Sequence, residues 1–546
     1  METVSLVLVI LVAVVASGAV ARVSLLPLPL PLVQIVLGAA ISAVARDRID
    51  LKPDIFFLLF LPPLLFLDGW RIPKEGLYRD RGTILELALG LVVFTVVGVG
   101  FFIHWMIPAM PLAVAFALAA ILSPTDPIAV SAIASRIPIP KRLMHILEGE
   151  ALLNDASGLV CMRFAVAAAL TGTFSLVDAI GTFLWVATGG LAIGIAVTWG
   201  ATIGKNWLSR RYGEDPGSQI LISLLIPFGA YLLAEHLQCS GILAAVAAGI
   251  TMTYAEQTGK ALAVTRVRRG AVWDMIQFTA NGVIFVLLGE QLPHLFRGAA
   301  QVVWESGHSE PIWLAFYVVA ISAALAALRF VWVWASLRVT SLLAARRGEP
   351  MGLPGWRLII VVSLAGIRGA ITLAGVLTLP LVMNDGTLFP ARDLAIFLAA
   401  GVIIMSLVAA SVGLPPLLKG LKMPAEGEKE EHEDQARVAA AQAAIQAIEK
   451  AQHDMGEGRV DADLYADAAS RIMALYRRRM DGHSKTGQER AEAYKRDEIE
   501  RALWLTGLQA ERDTIYRAAR RRKLPDDIAS KLVREIDLLE ARIGSK

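Results

Sequence analysis

The sequence predicts an all-α polytopic membrane protein. About 13 transmembrane helices form two inverted six-helix repeats with broken crossing helices, and a helical cytoplasmic tail follows. Three observations predict this. The 546 residues are 55% hydrophobic, with mean hydropathy +0.57. Composition changes sharply after Leu418: the last quarter of the chain carries roughly half of its Lys, Arg, Asp and Glu. Helix-breaking and charged residues recur at mid-depth in two spans of corresponding position, Ser123-Pro-Thr-Asp-Pro127 and Gly366-Ile-Arg-Gly369.

In order, the apolar runs place spans at about 3–24, 27–44, 54–69, 84–107, 111–134, 143–170, 177–204, 218–237, 239–256, 271–292, 312–337, 357–381 and 392–417. The first lacks a basic leader and reads as a membrane helix, not a removable signal. The loops holding Arg71 and Lys74, Arg136 and Lys141, Lys205 and Arg210, Arg266 and Arg268, and Arg346 carry about four times the Lys and Arg of the alternate loops. That bias puts them in the cytoplasm of a cell (inner) membrane, with the N-terminus outside and the tail inside. The halves are 3–170 and 218–417, joined by 177–204. Residues 1–418 form the membrane domain and 419–546 a soluble, charged helical domain with helices near 434–453, 460–480, 487–521 and 525–543. Arg520 to Lys523 reads as a solvated helix end.

Cys161 and Cys239 both lie in apolar runs, which excludes a disulfide framework or thiol metal site. No nucleophile–base set appears, so an enzyme is not expected. A net charge of +3 gives no sign of nucleic acid, and no cofactor is expected.

The chemistry centres on Ile146 to Leu159, which places Glu148, Glu150, Asn154 and Asp155 inside the sixth span. At 1.5 Å per residue Asp155 lies roughly 20 Å from Arg142, deep in a layer about 30 Å thick. A carboxylate at that depth costs at least about 2.5–3.5 kcal/mol unless it is paired, neutral or lines an ion route. Glu150 and Asn154 share one helix face, while Asp155 turns about 100° away, toward the Ala151 face. Pro124 and Pro127 free backbone carbonyls around Thr125 and Asp126; with that hydroxyl and carboxylate they are hard oxygen ligands for an alkali cation.

Arg368 needs a buried partner. Glu150, with Asn154 in support, is the first choice and leaves Asp155 to titrate; pairing with Asp155 is the alternative. A buried carboxylate can be neutralised by a proton or by a cation, so alternating exposure of Asp155 gives exchange. One Na⁺ for one H⁺ is electroneutral. Among lesser groups, Arg163 is expected to pair with Glu86 or Asp68, Asn281 to join helices, and Arg329 to be structural.

Five pieces, in order, resemble the monovalent cation/proton antiporter family of the sodium/proton exchanger type. They are Leu61-Pro-Pro-Leu-Leu-Phe66 before Asp68-Gly-Trp70, the Ser123–Pro127 break, Gly149-Glu-Ala-Leu-Leu-Asn-Asp155, Ser240-Gly-Ile-Leu-Ala244 and Gly366-Ile-Arg-Gly-Ala370. The resemblance covers about 1–418. It implies a homodimer in membrane lipid, with a dimerisation domain and a mobile core moving like an elevator. It implies that Asp155 binds Na⁺, K⁺ or Li⁺ and H⁺ in turn beside Thr125 and Asp126, with Glu150, Asn154 and Arg368 as a stabilising network. Asn154-Asp155 is similar to the electroneutral branch. The chain departs from the family at Ala151, where serine is usual, which puts ion preference in play. The competing readings are a K⁺-preferring efflux antiporter and a cation channel or sensor on a similar membrane fold. A nucleotide-gated form is disfavoured, as the tail has no Gly-x-Gly-x-x-Gly.

Overall fold

The computed structural model describes residues 2–23, 29–44, 53–72, 74, 81–126, 130, 141–172, 176–257, 262–305, 312–346, 355–419, 427–456, 462–484, 487–521 and 523–544. Among them there is no β-strand, only one isolated antiparallel bridge between Val382 and Leu388. The chain divides into two compact units, Met1–Lys422 and Met423–Lys546.

The first unit is a helical membrane domain. Its helices are α1 (Glu2–Val23), α2 (Leu30–Val44), α3 (Pro53–Arg71), α4 (Arg81–Leu85), α5 (Val92–Met106), α6 (Leu112–Leu122), α7 (Lys141–Thr171), α8 (Leu176–Tyr212), α9 (Pro216–His236), α10 (Gly241–Gln257), α11 (Ala263–Glu305), α12 (Ile312–Arg346), α13 (Trp356–Leu364), α14 (Ala370–Leu377) and α15 (Arg392–Leu418). Among the described residues, seven stretches are long and apolar enough to cross a bilayer, and four shorter apolar helices accompany them. The chain is thus a multi-pass membrane protein. Pro127 and the rest of the expected 111–134 span beyond Asp126, apart from Val130, lie outside the described residues.

Sequence explains the interruptions. Helix α6 ends at Leu122 with Ser123, still in helical geometry, as its C-cap; Pro124 beyond it has no amide to donate and cannot continue the hydrogen-bond ladder. Helices α13 and α14 are separated by Ala365–Gly369, where two glycines leave the backbone free. The expected continuous span at 84–107 contains a π-turn, Glu86–Leu91, between α4 and α5. A π-turn widens the backbone ladder, and here the Ser157 hydroxyl of α7 donates to Ala88 O at 2.6 Å. Helix α9 begins at Asp215, whose side chain accepts from Gly217 N, Ser218 N and the Ser218 hydroxyl. Those bonds hold this exposed carboxyl below the usual range.

Packing sorts the helices into two bundles. Helices α1, α2, α3, α8, α9, α10 and α11 pack among themselves; α5, α6, α7, α12, α13, α14 and α15 form the other group. The bundles meet where α11 lies on α15 and where α3 touches α7 and α14. In lipid, helices gain nothing from hiding oil from oil, so close backbone approach carries the association. Gly249 of α10 lies against the backbone of Phe66 and Trp70 in α3; Gly69 of α3 reciprocates at Val246. Gly289 of α11 meets Ile35 of α2 in the same way.

The second unit contains α16 (Gly427–Gly456), α17 (Ala462–Ser484), α18 (Gly487–Arg520) and α19 (Asp526–Gly544). Helix α16 packs on α17, and α18 on α19. Arg512 of α18 bridges Asp537 at 2.8 Å and also pairs with Glu540.

Gly249→Ala should lower the melting temperature of purified protein, since the new methyl overlaps α3 backbone at a cost of about 1–3 kcal/mol. Gly270→Ala, which meets nothing within 4 Å, should leave it unchanged or raise it. Equal melting temperatures for the two variants would contradict this account of helix packing.

Candidate functional site

The two interrupted segments touch. Asp126 N–H donates to Ile367 O at 2.7 Å, joining one break to the other. A side chain at Gly369 would overlap the Asp126 carboxylate, so glycine is required there for the approach. Gly158 of α7 likewise lies against the Pro124 ring and Ala120 O, which seats α7 on the first break.

Arg368 serves the carbonyls that these interruptions free. Its Nε donates to Leu122 O at 2.9 Å, Nη1 donates to Gly366 O, and its backbone N–H donates to Ser406 Oγ at 3.1 Å. Leu122 ends α6 and Gly366 follows α13, so a cation faces the negative ends of two half-helices.

The buried ion pair is a different one from that expected. Glu150, fully buried, is bound in bidentate fashion by Arg329 of α12: Nη1 to Oε1, and Nη2 to Oε2 at 2.7 Å. Arg329 Nε donates to Val362 O at 3.0 Å, and Gly366 packs on its side chain. Glu150 therefore does not take Arg368 as its partner; nor does Asp155 appear among the hydrogen-bond acceptors of Arg368. The reason is local. Arg368 sits in a non-helical stretch with carbonyls at hand, whereas Arg329 lies in a regular helix with no acid anywhere along Ile312–Arg346. That isolation was the readable signal, the same one that marked Arg368.

The Glu150 pair extends to the first break. Thr125 Oγ1 donates to Glu150 Oε1 at 3.5 Å, and Asn154 Nδ2 donates to Thr125 Oγ1 at 2.9 Å. Asn154 thus supports Glu150 through Thr125. Asn154 Oδ1 is buried with no partner among the described residues.

Asp155 points the other way, as its position on the helix requires. It lines a small cavity of about 20 Å³ with Asp126, Thr125, Asp68, Asn281, Leu64 and the start of α14 from Gly369 to Thr372. A void of that size holds one water-sized guest. Asp155, Asp126 and Thr125 are brought together as expected from sequence, all from one bundle. Asp68 of α3 and Asn281 of α11 face them from the other. Neither was read as part of the site: Asp68 was expected at most to pair with Arg163, and Asn281 to join helices. Arg163 instead pairs with Glu235 at 2.8 Å. Ala151 is buried, and its methyl offers no ligand to the cavity.

A second, larger cavity of about 540 Å³ runs along α7 from Leu159 to Leu170, against Tyr231, Leu232 and Glu235 of α9. Leu159 is one helical turn from Asp155. Among the described residues no group of three or more His, Cys, Asp or Glu is arranged to hold a metal ion.

A double-mutant cycle separates the two arginines. Breaking the buried pair by Glu150→Gln or Arg329→Gln should each cost about 3–5 kcal/mol in thermal or denaturant unfolding. The coupling energy of Glu150 with Arg329 should exceed that of Glu150 with Arg368. The reverse order would contradict the pairing.

The family model described as "Sodium/hydrogen exchanger, transmembrane" matches residues 8–420. An Escherichia coli protein named "Uncharacterized Na(+)/H(+) exchanger YjcE" is 41% identical over 549 residues, covering 99% of each chain. A Bacillus subtilis protein named "Sodium, potassium, lithium and rubidium/H(+) antiporter" is 36% identical over 540 residues, 98% of this chain and 77% of that one. The sodium proton antiporter MjNhaP1 from Methanocaldococcus jannaschii superimposes with a TM-score of 0.55 at 19% identity, over 77% of this chain and 99% of that one, a likeness of fold. With five sequence motifs in order, two touching helix breaks and a family match across the membrane domain, the chain belongs to the sodium/hydrogen exchanger family.

Proposed function

We propose that Asp155 is the group through which this exchanger couples cation to proton, with Asp126 and Thr125 completing its ion site. The observation that carries the reading is the shared cavity: Asp155, Asp126 and Thr125 line one space, with room for one small guest. Burying the charge of a carboxylate such as Asp155 is costly, and a bound proton or cation offsets that cost. With Glu150 neutralised by Arg329, and Arg368 held by carbonyls, Asp155 is left to bind H⁺ or an alkali cation.

The step balances. Protonated Asp155 releases H⁺ to one side and its carboxylate takes one M⁺ from that side. Exposure then switches, M⁺ leaves, and H⁺ returns. The net charge carried is the same in both directions, so exchange is electroneutral. The larger cavity along α7 is the route on one side, and with the basic loops cytoplasmic it is the outer one. Arg163 and Glu235 stand in its lining.

Ion choice covers Na⁺, K⁺ and Li⁺. The breadth is supported by the name of the Bacillus subtilis relative and by Ala151, which withdraws a hydroxyl from the site. The wider reading is a homodimer in membrane lipid of the cell (inner) membrane, its membrane domain an inverted repeat, with residues 419–546 a soluble cytoplasmic domain. The carrier itself is a transporter, with ions as its substrates.

The test is proteoliposomes with an acid interior and a pH-sensitive dye. Adding Na⁺, K⁺ or Li⁺ outside should drive proton efflux from wild type and none above background from Asp155→Asn. Cation flux without proton movement, or full activity in the variant, would overturn the proposal.

A further inference from the structure

The cavity beside Asp155 has two sides. Thr125, Asp126, Asp155 and the start of α14 belong to one bundle, while Asp68 and Asn281 belong to the other. Among the lining residues Asn281 is the one side-chain amide. Its Oδ1 is buried and accepts no hydrogen bond among the described residues. A buried acceptor left unmatched is costly and calls for an explanation, and an ion is one of the explanations.

The helix around it is fixed in rotation. Gly282, the next residue, is pressed against Val14 of α1 and Gln34 of α2. Ile284, Phe285 and Val286 beyond it are buried in the core. Residue 281 is thereby held at the cavity wall. The Thr125 hydroxyl is already engaged with Glu150 and Asn154, whereas the Asn281 amide oxygen has no such engagement among the described residues.

We propose that Asn281 is a cation ligand of this exchanger and sets which alkali cation it takes. The inference rests on Asp155 being the exchange site. Its logic is competitive. Every carboxylate in the cavity serves proton and cation alike. An amide oxygen binds a metal cation but is not protonated near neutral pH, so it favours the cation without favouring its competitor. A neutral carbonyl dipole also presents a weaker field than a carboxylate. Ligand number and field strength govern alkali-ion selectivity, and a weaker field penalises the larger, more weakly hydrated K⁺ less. Placing this ligand on the bundle opposite Asp155 makes the full shell depend on the two bundles facing each other as they do here.

The experiment uses the full-length protein in proteoliposomes. Half-saturating concentrations of Li⁺, Na⁺ and K⁺ are measured for wild type, Asn281→Ala, Asn281→Asp, Asn281→Gln and Asp155→Asn. Asn281→Ala should raise them by about tenfold, most for K⁺. Asn281→Asp should keep Li⁺ and Na⁺ transport but raise the K⁺-to-Na⁺ ratio of half-saturating concentrations by about tenfold, with Asn281→Gln between. Where a variant is too slow to transport, cation-induced thermal stabilisation reads the same ratio. A K⁺-to-Na⁺ ratio within about twofold of wild type in both the Ala and Asp variants would overturn the inference, whatever their rates. Cation-driven proton movement retained by Asp155→Asn would instead overturn the exchange site beneath it.

Discussion

One helix stops at Leu122, and another stops at Leu364 and restarts at Ala370, inside a layer that offers their backbones no water, and the residues around them answer that constraint. Each break frees carbonyls and amides that cost several kcal/mol apiece if left bare. Here they satisfy one another: Asp126 N–H binds Ile367 O across the crossing. Arg368 takes Leu122 O and Gly366 O, so one positive charge closes two half-helix C-termini. Gly369 makes the crossing possible by having no side chain where the Asp126 carboxylate lies. Non-helical backbone at this depth survives only where protein or a cavity receives it, and the Asp155 cavity opens at this crossing.

From that crossing the charges fall into place. Glu150 and Asp155 sit five residues apart on one helix and meet opposite fates. Glu150 faces α12, where Arg329 grips both its oxygens; Thr125 and Asn154 tie that pair to the break. Asp155 faces the cavity and the second bundle. The ion pair therefore works as a clamp that fixes α7, the first break and α12 relative to one another. Asp155, the carboxylate we propose to change partners, lies outside that clamp. A site built this way would hold its frame while one member exchanged its guest, as pre-organised sites do.

Much of this was legible in the sequence, for identifiable reasons. Acids and an amide inside an apolar run are costly enough to mark Glu150, Asn154 and Asp155 unaided, and helical period separated their faces. Prolines and glycines marked both breaks. The pairing was not legible, because a lone arginine advertises need without naming its partner. Arg329 and Arg368 were equally isolated, and only the three-dimensional path of the backbone shows that Arg368 is occupied by carbonyls. That Asp68 and Asn281 stand in the cavity wall was not legible for a related cause. Each is a single polar group on a helix distant in sequence, and the wall forms only where two bundles meet. The π-turn at Glu86–Leu91 left no mark in hydropathy, since it alters backbone register and not composition.

The account stands or falls on mutual exclusion of proton and cation at Asp155. Its most direct measurement is proton release on cation binding, followed with a pH indicator in weakly buffered, detergent-purified protein as Na⁺ or K⁺ is added. The account predicts protons released in proportion to cation bound, near one to one where Asp155 begins protonated, and none from Asp155→Asn. Saturable cation binding to the wild-type protein without proton release would contradict it.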